Sequence, residues 1–216
     1  MSTFEEIKNR AETLIDDDSL NEFIADFINQ GVYEIAGGMQ SSLVFGITPP
    51  LPNLFTIASV TTELGLAYVD MPSNYHRDMQ LVVSARGSEI DIAHSFIAFT
   101  ETYPALDRTG TISEAVAQGN KLYYQGIPSA AEILTLHFYR KPVIMVNDDD
   151  EPDGLPEHLQ MSLLANFAAW KAYEYLEDGV EGETPNTIKF KTFFTEALRI
   201  LELSIPYDVR GLSLIS

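Results

Sequence analysis

The stretch EILTLHFYRKPVIMVNDDDEPDGLPE, residues 132–157, contains the change of pattern that decides the fold. In its first part Leu134, Leu136 and Phe138 alternate with a second set of residues, Ile133, Thr135, His137 and Tyr139. This period of two predicts a β-strand that is packed on both faces or nearly so. The acidic run that follows interrupts the alternation, and Pro156 suits the first position of a helix. The stretch therefore predicts that a β region ends and a helical region begins within it.

Two helices are predicted after this stretch. The first has an apolar face formed by Leu159, Leu163, Leu164, Phe167, Ala168, Lys171 and Tyr175, with Trp170 to one side, and Gly179 ends it. Thr184-Pro185 opens the second helix. Its stripe is Phe190, Phe193, Phe194, Ala197, Leu198 and Leu201, and Pro206 ends it.

Two further helices are predicted at the beginning of the chain. Ser2 and Glu5, like Thr3 and Glu6, have the spacing of a capping box, and Phe4, Ile7, Ala11, Leu14 and Ile15 follow as a stripe. The aspartates at 16–18 interrupt this pattern, and Ser19 with Glu22 forms a second capping-box spacing. The second stripe is Leu20, Phe23, Ile24, Phe27, Ile28 and Ile35, before Gly37-Gly38 ends the helix.

The middle of the chain has the texture of a β domain. Residues 39–53 contain three prolines and predict a linker. Short β-branched and aromatic runs follow: TIASV, GLAYVDM, MQLVVSARGSEIDIA, SFIAFTETY and KLYYQG. Runs at this spacing predict a sandwich or barrel.

The order of these elements predicts an α+β fold with a discontinuous helical domain. None of the four helices can bury its stripe alone, so we expect residues 1–53 and 146–216 to form a four-helix bundle. Residues 54–145 are expected to form an inserted antiparallel β-sandwich or barrel-like domain. One bundle core should bring together eight residues: Phe23, Ile24, Phe27, Leu163, Leu164, Phe167, Phe194 and Leu198.

The charge is strongly negative and unevenly distributed. The chain has 13 Lys and Arg residues against 32 Asp and Glu residues, a net charge of −19. Residues 1–53 and 146–216 together hold 23 acids and 7 bases, whereas residues 54–145 hold 9 acids and 6 bases. Phosphate binding requires clustered Lys and Arg, so this balance excludes a protein that holds nucleic acid through its phosphates. It is compatible with simple solubility or with a surface that repels polyanions.

The sequence offers no motif for catalysis, a cofactor or a metal. It has no cysteine, no glycine-rich phosphate loop, no dinucleotide fingerprint and no nucleophile elbow. The histidines His76, His94, His137 and His158 lie in four different segments, and we expect structural or surface roles for them. No apolar run is long enough to span a bilayer, and the first residues do not resemble a signal peptide. We therefore expect a protein that is not an enzyme and is made in a cytoplasm.

Two patterns leave alternatives open. The acidic run from Asp148 to Asp153 could bind calcium, but it lacks the alternating ligand spacing of an EF-hand, so a solvated loop is expected. The aromatic residues Tyr103, Tyr123, Tyr124, Phe138 and Tyr139 could line a sugar-binding face, although such residues in strands are more often core or cross-strand pairs. The competing functions are therefore a carbohydrate-binding β-sandwich with a helical module and, less favoured, a β-rich glycosidase.

Several segments resemble the head-to-tail adaptor proteins of tailed bacteriophages, also called connector or tail tubular proteins. The segments are Lys121-Leu122-Tyr123-Tyr124, the strand from Ile133 to Pro142, Leu155-Pro156-Glu157-His158, and the helix ending Ala172-Tyr173-Glu174-Tyr175. The stretch from Asp70 to Arg77 is similar to another segment of the family, with Asn and Tyr in place of its usual acid and Phe. The N-terminal order of helix, Asp-rich turn and helix ending in glycine is also similar.

The resemblance implies a structural virion protein without catalytic residues. Its copies would assemble as a dodecameric ring between the portal and the tail or nozzle proteins, with DNA only passing through. The resemblance implies no cofactor, no metal and no membrane partner, and it implies a location in the virion after assembly in the host cytoplasm.

The segment after Pro206 is a candidate docking tail. It carries five apolar residues: Tyr207, Val209, Leu212, Leu214 and Ile215. In adaptors such segments commonly extend and dock on the portal ring, becoming ordered only on binding. The alternative is that the segment folds back on its own bundle.

Overall fold

The computed structural model describes residues 2–39, 48–177 and 184–205, and these form an α+β protein. Five helices are present in these ranges: α1 (Phe4–Ile15), α2 (Asn21–Gly37), α3 (Phe96–Thr102), α4 (Glu157–Leu176) and α5 (Pro185–Ser204). The strands are β1 (Phe55–Thr61), β2 (Tyr68–Asp70), β3 (Tyr75–Ser84), β4 (Glu89–Ile92), β5 (Glu114–Gln118), β6 (Lys121–Tyr124) and β7 (Ile133–Arg140). The chain divides into two compact units, a helical unit (Met1–Leu54 with Pro142–Ser216) and a β unit (Phe55–Lys141).

Helix α1 begins and ends where the sequence predicts. Thr3 is its N-cap, the Thr3 side chain accepts from the Glu6 backbone N–H, and the Glu6 carboxylate accepts from the Thr3 N–H. This is one of the two capping boxes predicted for α1. The helix ends at Asp16, which adopts a left-handed conformation with φ of 52°.

The start of α2 differs from the prediction. Ser19 lies inside a 3₁₀ turn, Asp18–Leu20, and its backbone N–H donates to the Asp17 carboxylate. Leu20 then occupies the N-cap position of α2, so the predicted capping box of Ser19 and Glu22 is wrong. The Asp17 carboxylate accepts from the Ser19 N–H, which would donate to Glu22 in the predicted capping box. Aspartate side chains in turns commonly bind a backbone N–H two residues on.

Helix α4 is the central element of the helical unit. It contacts α1, α2 and α5. Its buried residues lie on almost every side: Leu159, Gln160, Leu163, Leu164, Ala165, Phe167, Ala168, Ala169, Trp170 and Ala172. The four alanines among these let neighbouring helices approach closely. A helix that is apolar on nearly all sides is stable only when several partners cover it.

Helix α2 approaches α4 closely at Gly31. A Cβ built at this position would lie 2.9 Å from Cδ1 of Phe167 and 3.3 Å from a methyl carbon of Leu164. The Phe167 ring in turn makes edge contacts with Trp170 at 5.5 Å and Phe194 at 5.3 Å between ring centroids. Gly31 therefore sets how closely α2 approaches α4.

Two phenylalanines predicted for the core lie elsewhere. Phe23 is 42 % exposed and Phe27 is only half-buried. The buried face of α2 is instead Ile24, Ile28, Gly31, Val32, Ile35 and Ala36. Because successive helical residues are 100° apart, Phe23 and Phe27 fall beside this face rather than on it. The other six predicted core residues are buried.

The β unit contains one curled, seven-stranded sheet, a half-barrel, with the order β1-β7-β3-β4-β5-β6-β2. The predicted alternation holds in β7, where Leu134, Leu136 and Phe138 are fully buried. They pack with residues from the other strands, including Val82, Ile90, Leu122 and Tyr124. The sheet thus has a well-formed core on its inner face.

The sheet is mixed, so the predicted antiparallel arrangement is wrong at one pair. Strands β4 and β5 are parallel, whereas the other paired strands are antiparallel. Parallel neighbours need a long crossover, and residues 93–113 supply it. This crossover contains α3, which replaces the strand predicted from SFIAFTETY. The Ser95 side chain caps α3 by accepting from the Ala98 N–H at 3.1 Å.

We predict that Gly31→Ala destabilises the protein. The added Cβ would meet a fully buried ring that its own neighbours hold in place. Overpacking of this kind costs about 1–3 kcal/mol, against roughly 1 kcal/mol gained in helix propensity. We expect a net loss of up to about 2 kcal/mol in the free energy of unfolding, measured by urea denaturation.

The matched control is Gly110→Ala. A Cβ at Gly110 meets nothing within 4 Å, so this change should leave stability within about 0.5 kcal/mol of the wild type. Equal stability of the two alanine variants would contradict the close approach of α2 and α4.

Candidate interaction surfaces

The titratable residues do not converge on one centre within the described residues. His94 and His158 are exposed, His76 lies on β3, and His137 lies on β7. Burial lowers the pKa of His76, and the neighbouring charges of Arg77 and Lys141 lower it further. No group of three or more His, Cys, Asp or Glu residues in the described ranges could hold a metal ion. No described helix is long and apolar enough to cross a membrane.

The acidic run is a structured turn rather than only a solvated connection. The Asp150 carboxylate accepts from the backbone N–H groups of Val146 and Asn147 at 2.7 and 2.8 Å. These backbone donors, that of Asn147 foremost, hold the pKa of Asp150 below its usual value. Asp153 likewise accepts from the Val143 N–H at 2.9 Å. The sequence shows the acids but not the backbone groups that they bind.

This turn also caps α1. The backbone N–H groups of Phe4 and Glu5 donate to the carbonyl oxygens of Asp150 and Asp148 at 2.8 and 3.1 Å. The first N–H groups of a helix have no partner inside the helix, so the turn satisfies two of them. Lys8 adds an ion pair to the Asp148 carboxylate at 2.6 Å. The acidic turn is therefore part of the helical unit.

The five candidate sugar-binding aromatics do not share a face. Tyr124 and Phe138 are fully buried, and burial raises the pKa of Tyr124 to about 12. Tyr123 packs against Tyr68 of β2 at 5.7 Å, and Tyr139 packs against Phe55 of β1 at the same distance between ring centroids. The Tyr103 hydroxyl donates to Glu114 at 2.9 Å, which raises the pKa of Tyr103. These contacts are those of core and cross-strand pairs, the structural alternative.

The outer face of β1 and β7 is an exposed apolar surface. Phe55, Ile57 and Ile133 are 42 %, 55 % and 53 % exposed. The register pairs Phe55 with Tyr139 and Ile57 with His137 across the two strands. The other face of β1 and β7 packs on the core of the β unit, so these two strands carry apolar side chains on both faces.

Helix α5 has a similar second face. Phe190, Phe194, Leu198 and Leu201 are buried, and α5 packs against α4. Around the other side of the helix lie Ile188, Phe193, Ile200 and Leu203, which are 47–69 % exposed. We call these four residues, with Lys189, Glu196 and Arg199, the outer face of α5. Phe193, predicted for the buried stripe, is thus on the exposed side.

Helix α2 exposes an acidic face that contains two aromatic rings. Phe23 and Phe27 lie 6.5 Å apart between ring centroids. Glu22, Asp26 and Glu34 lie around the same side of the helix, away from its buried residues. We call these five residues the outer face of α2. A helical wheel of the sequence indicates both outer faces, because α2 and α5 each carry apolar residues outside their main apolar stripe.

The candidate docking residues Tyr207, Val209, Leu212, Leu214 and Ile215 lie outside the described residues. Ile205, the C-cap of α5, is the last described residue, and it is buried.

Several exposed apolar side chains on one face of a helix or sheet are typical of proteins that assemble with other protein chains. The comparison with protein families specifies the class. The SU10 adaptor protein family matches residues 2–211, nearly the whole chain, and the chain belongs to this family. It is a family of structural bacteriophage adaptor proteins, in agreement with the resemblance stated above. The comparison with curated proteins found no significant match.

We predict that Asp150→Asn lowers the melting temperature near neutral pH. The ionised Asp150 carboxylate binds two backbone N–H groups, and its lowered pKa means that the folded state favours the charged form. This contribution is present above the ordinary aspartate pKa, roughly 4, and is lost as the pH falls through the lowered value. The difference between wild type and variant should therefore shrink as the protein is melted at decreasing pH.

The control is Asp149→Asn, which removes the same charge from an exposed neighbour. It should leave the melting temperature unchanged at each pH. If both variants melt alike near neutral pH, the turn has no stabilising role. A melting temperature that rises with millimolar calcium only in the wild type would instead support a metal site.

Proposed function

We propose that the protein is a head-to-tail adaptor that forms a ring between the portal and the tail, through which the DNA passes. The observation that carries the proposal is the family match over residues 2–211. In this proposal α1, α2, α4 and α5 act as a four-helix bundle from residues 1–53 and 146–216, with residues 54–145 as the inserted β domain. The subunit is a component of the virion, assembled in the host cytoplasm, in a ring of twelve copies.

The charge supports the role of a passive channel for DNA. A conduit must not bind the DNA that moves through it, and binding of DNA depends on clustered Lys and Arg. The helical parts of the sequence hold 23 acids and 7 bases. A surface of this sign repels the phosphate backbone and lowers the friction of passage.

The exposed apolar faces support the role of a ring subunit. A ring subunit must contact two neighbouring copies and a protein ring on each side. The outer face of β1 and β7 and the outer face of α5 are surfaces of the required kind, since apolar side chains there gain stability when a partner covers them.

Electron microscopy of the purified protein mixed with portal rings of the same phage tests the proposal. A second ring on the portal is expected, and the native mass should rise to that of a large assembly. A protein that remains a monomer or dimer under these conditions would contradict the proposal. Binding to a glycan array would favour the carbohydrate-binding alternative, and turnover of a chromogenic glycoside would favour the glycosidase.

We predict that deleting residues 207–216 leaves the subunit folded but unable to join portal rings. Five apolar residues follow Pro206 in the sequence, and we propose that they dock on the portal: Tyr207, Val209, Leu212, Leu214 and Ile215. Circular dichroism should be unchanged, while co-sedimentation with portal rings should be lost.

A point variant and its control separate the two roles of the tail. Leu212→Ser with Leu214→Ser should weaken portal binding, and Asp208→Ser should not, because only the first pair removes apolar side chains. If the deletion unfolds the helices, the tail belongs to the core. If the truncated protein still assembles on portals, the docking role is wrong.

A further inference from the structure

The outer face of α5 exposes apolar side chains that a second protein surface could cover. Its apolar side chains, Ile188, Phe193, Ile200 and Leu203, are spread along the whole helix rather than gathered at one end. Burying such side chains contributes roughly 25 cal/mol per Å² of apolar surface. A helix that is apolar on two sides is expected to be covered on both. Within the described ranges, helix α4 packs on one side of α5, and the four apolar side chains on the other side remain exposed.

The charges on α5 indicate which sign of charge the partner surface should carry. Lys189 and Arg199 lie on the outer face, whereas the Lys191 ammonium lies 5.1 Å from the centroid of the Trp170 ring on α4. The acids of the helix are Glu196, on the outer face, and Glu202, which is only 5 % exposed. The outer face of α5 is therefore apolar with an excess of positive charge, in a chain whose net charge is −19.

The outer face of α2 has the complementary properties. It presents the rings of Phe23 and Phe27, and its charged residues, Glu22, Asp26 and Glu34, are all acidic. The sequence of α2 contains no Lys or Arg. Charge arrangements of this kind favour one partner and suppress others, because like charges brought together are costly.

We propose that the outer face of α5 in one subunit binds the outer face of α2 in a second copy of the chain. The inference rests on the proposed function, since it assigns the contact between neighbouring subunits of the ring. A contact between two different faces is heterologous, and heterologous contacts close into rings when the rotation per subunit allows. Both helices pack on α4 of one compact unit, so each subunit presents the two faces in a fixed relation.

A symmetric pairing of α5 with α5 fits the surfaces less well. It would bring the basic residues Lys189 and Arg199 of one copy against a face of the same positive sign. It would also leave the acidic face of α2, with Phe23 and Phe27, without a complementary partner. The heterologous contact pairs both faces at once.

Charge-reversal variants test the contact. Lys189→Glu/Arg199→Glu should weaken assembly of the full-length chain by at least about tenfold, because it places acids against the outer face of α2. Asp26→Lys/Glu34→Lys should do the same by placing bases against α5. An equimolar mixture of the two variants should assemble, since alternating copies restore complementary faces at each contact. The chain that carries all four changes should assemble by itself.

The matched controls make equal charge changes at exposed positions of the β unit. Arg86→Glu/Arg108→Glu and Glu101→Lys/Asp107→Lys should assemble as the wild type does. Sedimentation velocity, of each protein alone and with portal rings, measures assembly, and circular dichroism confirms that each variant is folded.

A cross-linking experiment locates the contact independently of charge. The chain contains no cysteine, so Phe27→Cys/Ile200→Cys carries one thiol on each face and no others. Oxidation of the assembled double variant should give a ladder of multimers on a non-reducing gel, whereas each single variant should stay monomeric. A disulfide requires the two Cα atoms to lie within about 7 Å, so the ladder reports direct contact.

The outcomes separate this inference from the proposed function. Suppose that the wild type forms rings, but the charge-reversal variants assemble equally well or the double cysteine variant gives no ladder. Either result leaves the proposed function intact and overturns this inference. Dimers from a single cysteine variant would show a symmetric contact and overturn it as well. A wild type that forms no assembly, even with portal rings, overturns both.

Discussion

The helical unit depends on the contact between Gly31 of α2 and the ring of Phe167 on α4. The absence of a side chain at Gly31 lets the two helices approach until the ring nearly touches the α2 backbone. The same ring packs edge-on against Trp170 and Phe194, so one side chain connects three helices. Because dense cores transmit strain, a shift of this ring would be felt by α2 and α5 together.

Two helix ends in this unit are held by groups from other segments. The first N–H groups of α1 donate to carbonyl oxygens of the acidic turn, and those of α5 donate to the Glu177 carboxylate, which also accepts from the Thr187 hydroxyl at 2.6 Å. Carboxylates near a helix N-terminus are stabilised by the helix dipole. The carboxylates of Asp148, Asp150 and Glu177 therefore stabilise the fold in addition to contributing negative charge.

The sequence predicts the four long helices α1, α2, α4 and α5, the main strand β7 and the α+β class, because each depends on a local period or cap. Leu134, Leu136 and Phe138 show the period of two, and Thr3 with Glu6 shows the capping box. The mixed sheet was missed because the partner of β4 is decided by a distant strand, β5, and no local pattern encodes that choice. Ser95 was the local signal for α3, and it was hidden by the aromatic residues that follow.

The side on which a residue falls was harder to predict than the element that contains it. Phe23 and Phe193 are apolar and lie next to buried positions on the helix, so the helical stripe predicts that they are buried. Their exposure follows from where α4 lies relative to each helix, which is a tertiary property.

The uneven charge of the helices gives these exposed residues a function. A chain with a net charge of −19 repels its own copies, and self-assembly then requires local complementarity that overcomes the long-range repulsion. Salt screens charges beyond about 10 Å, whereas charges in contact across an interface are screened much less. A basic and apolar α5 facing an acidic and aromatic α2 supplies attraction at short range. Repulsion at long range keeps free subunits apart, so assembly is favoured where subunits are held close together.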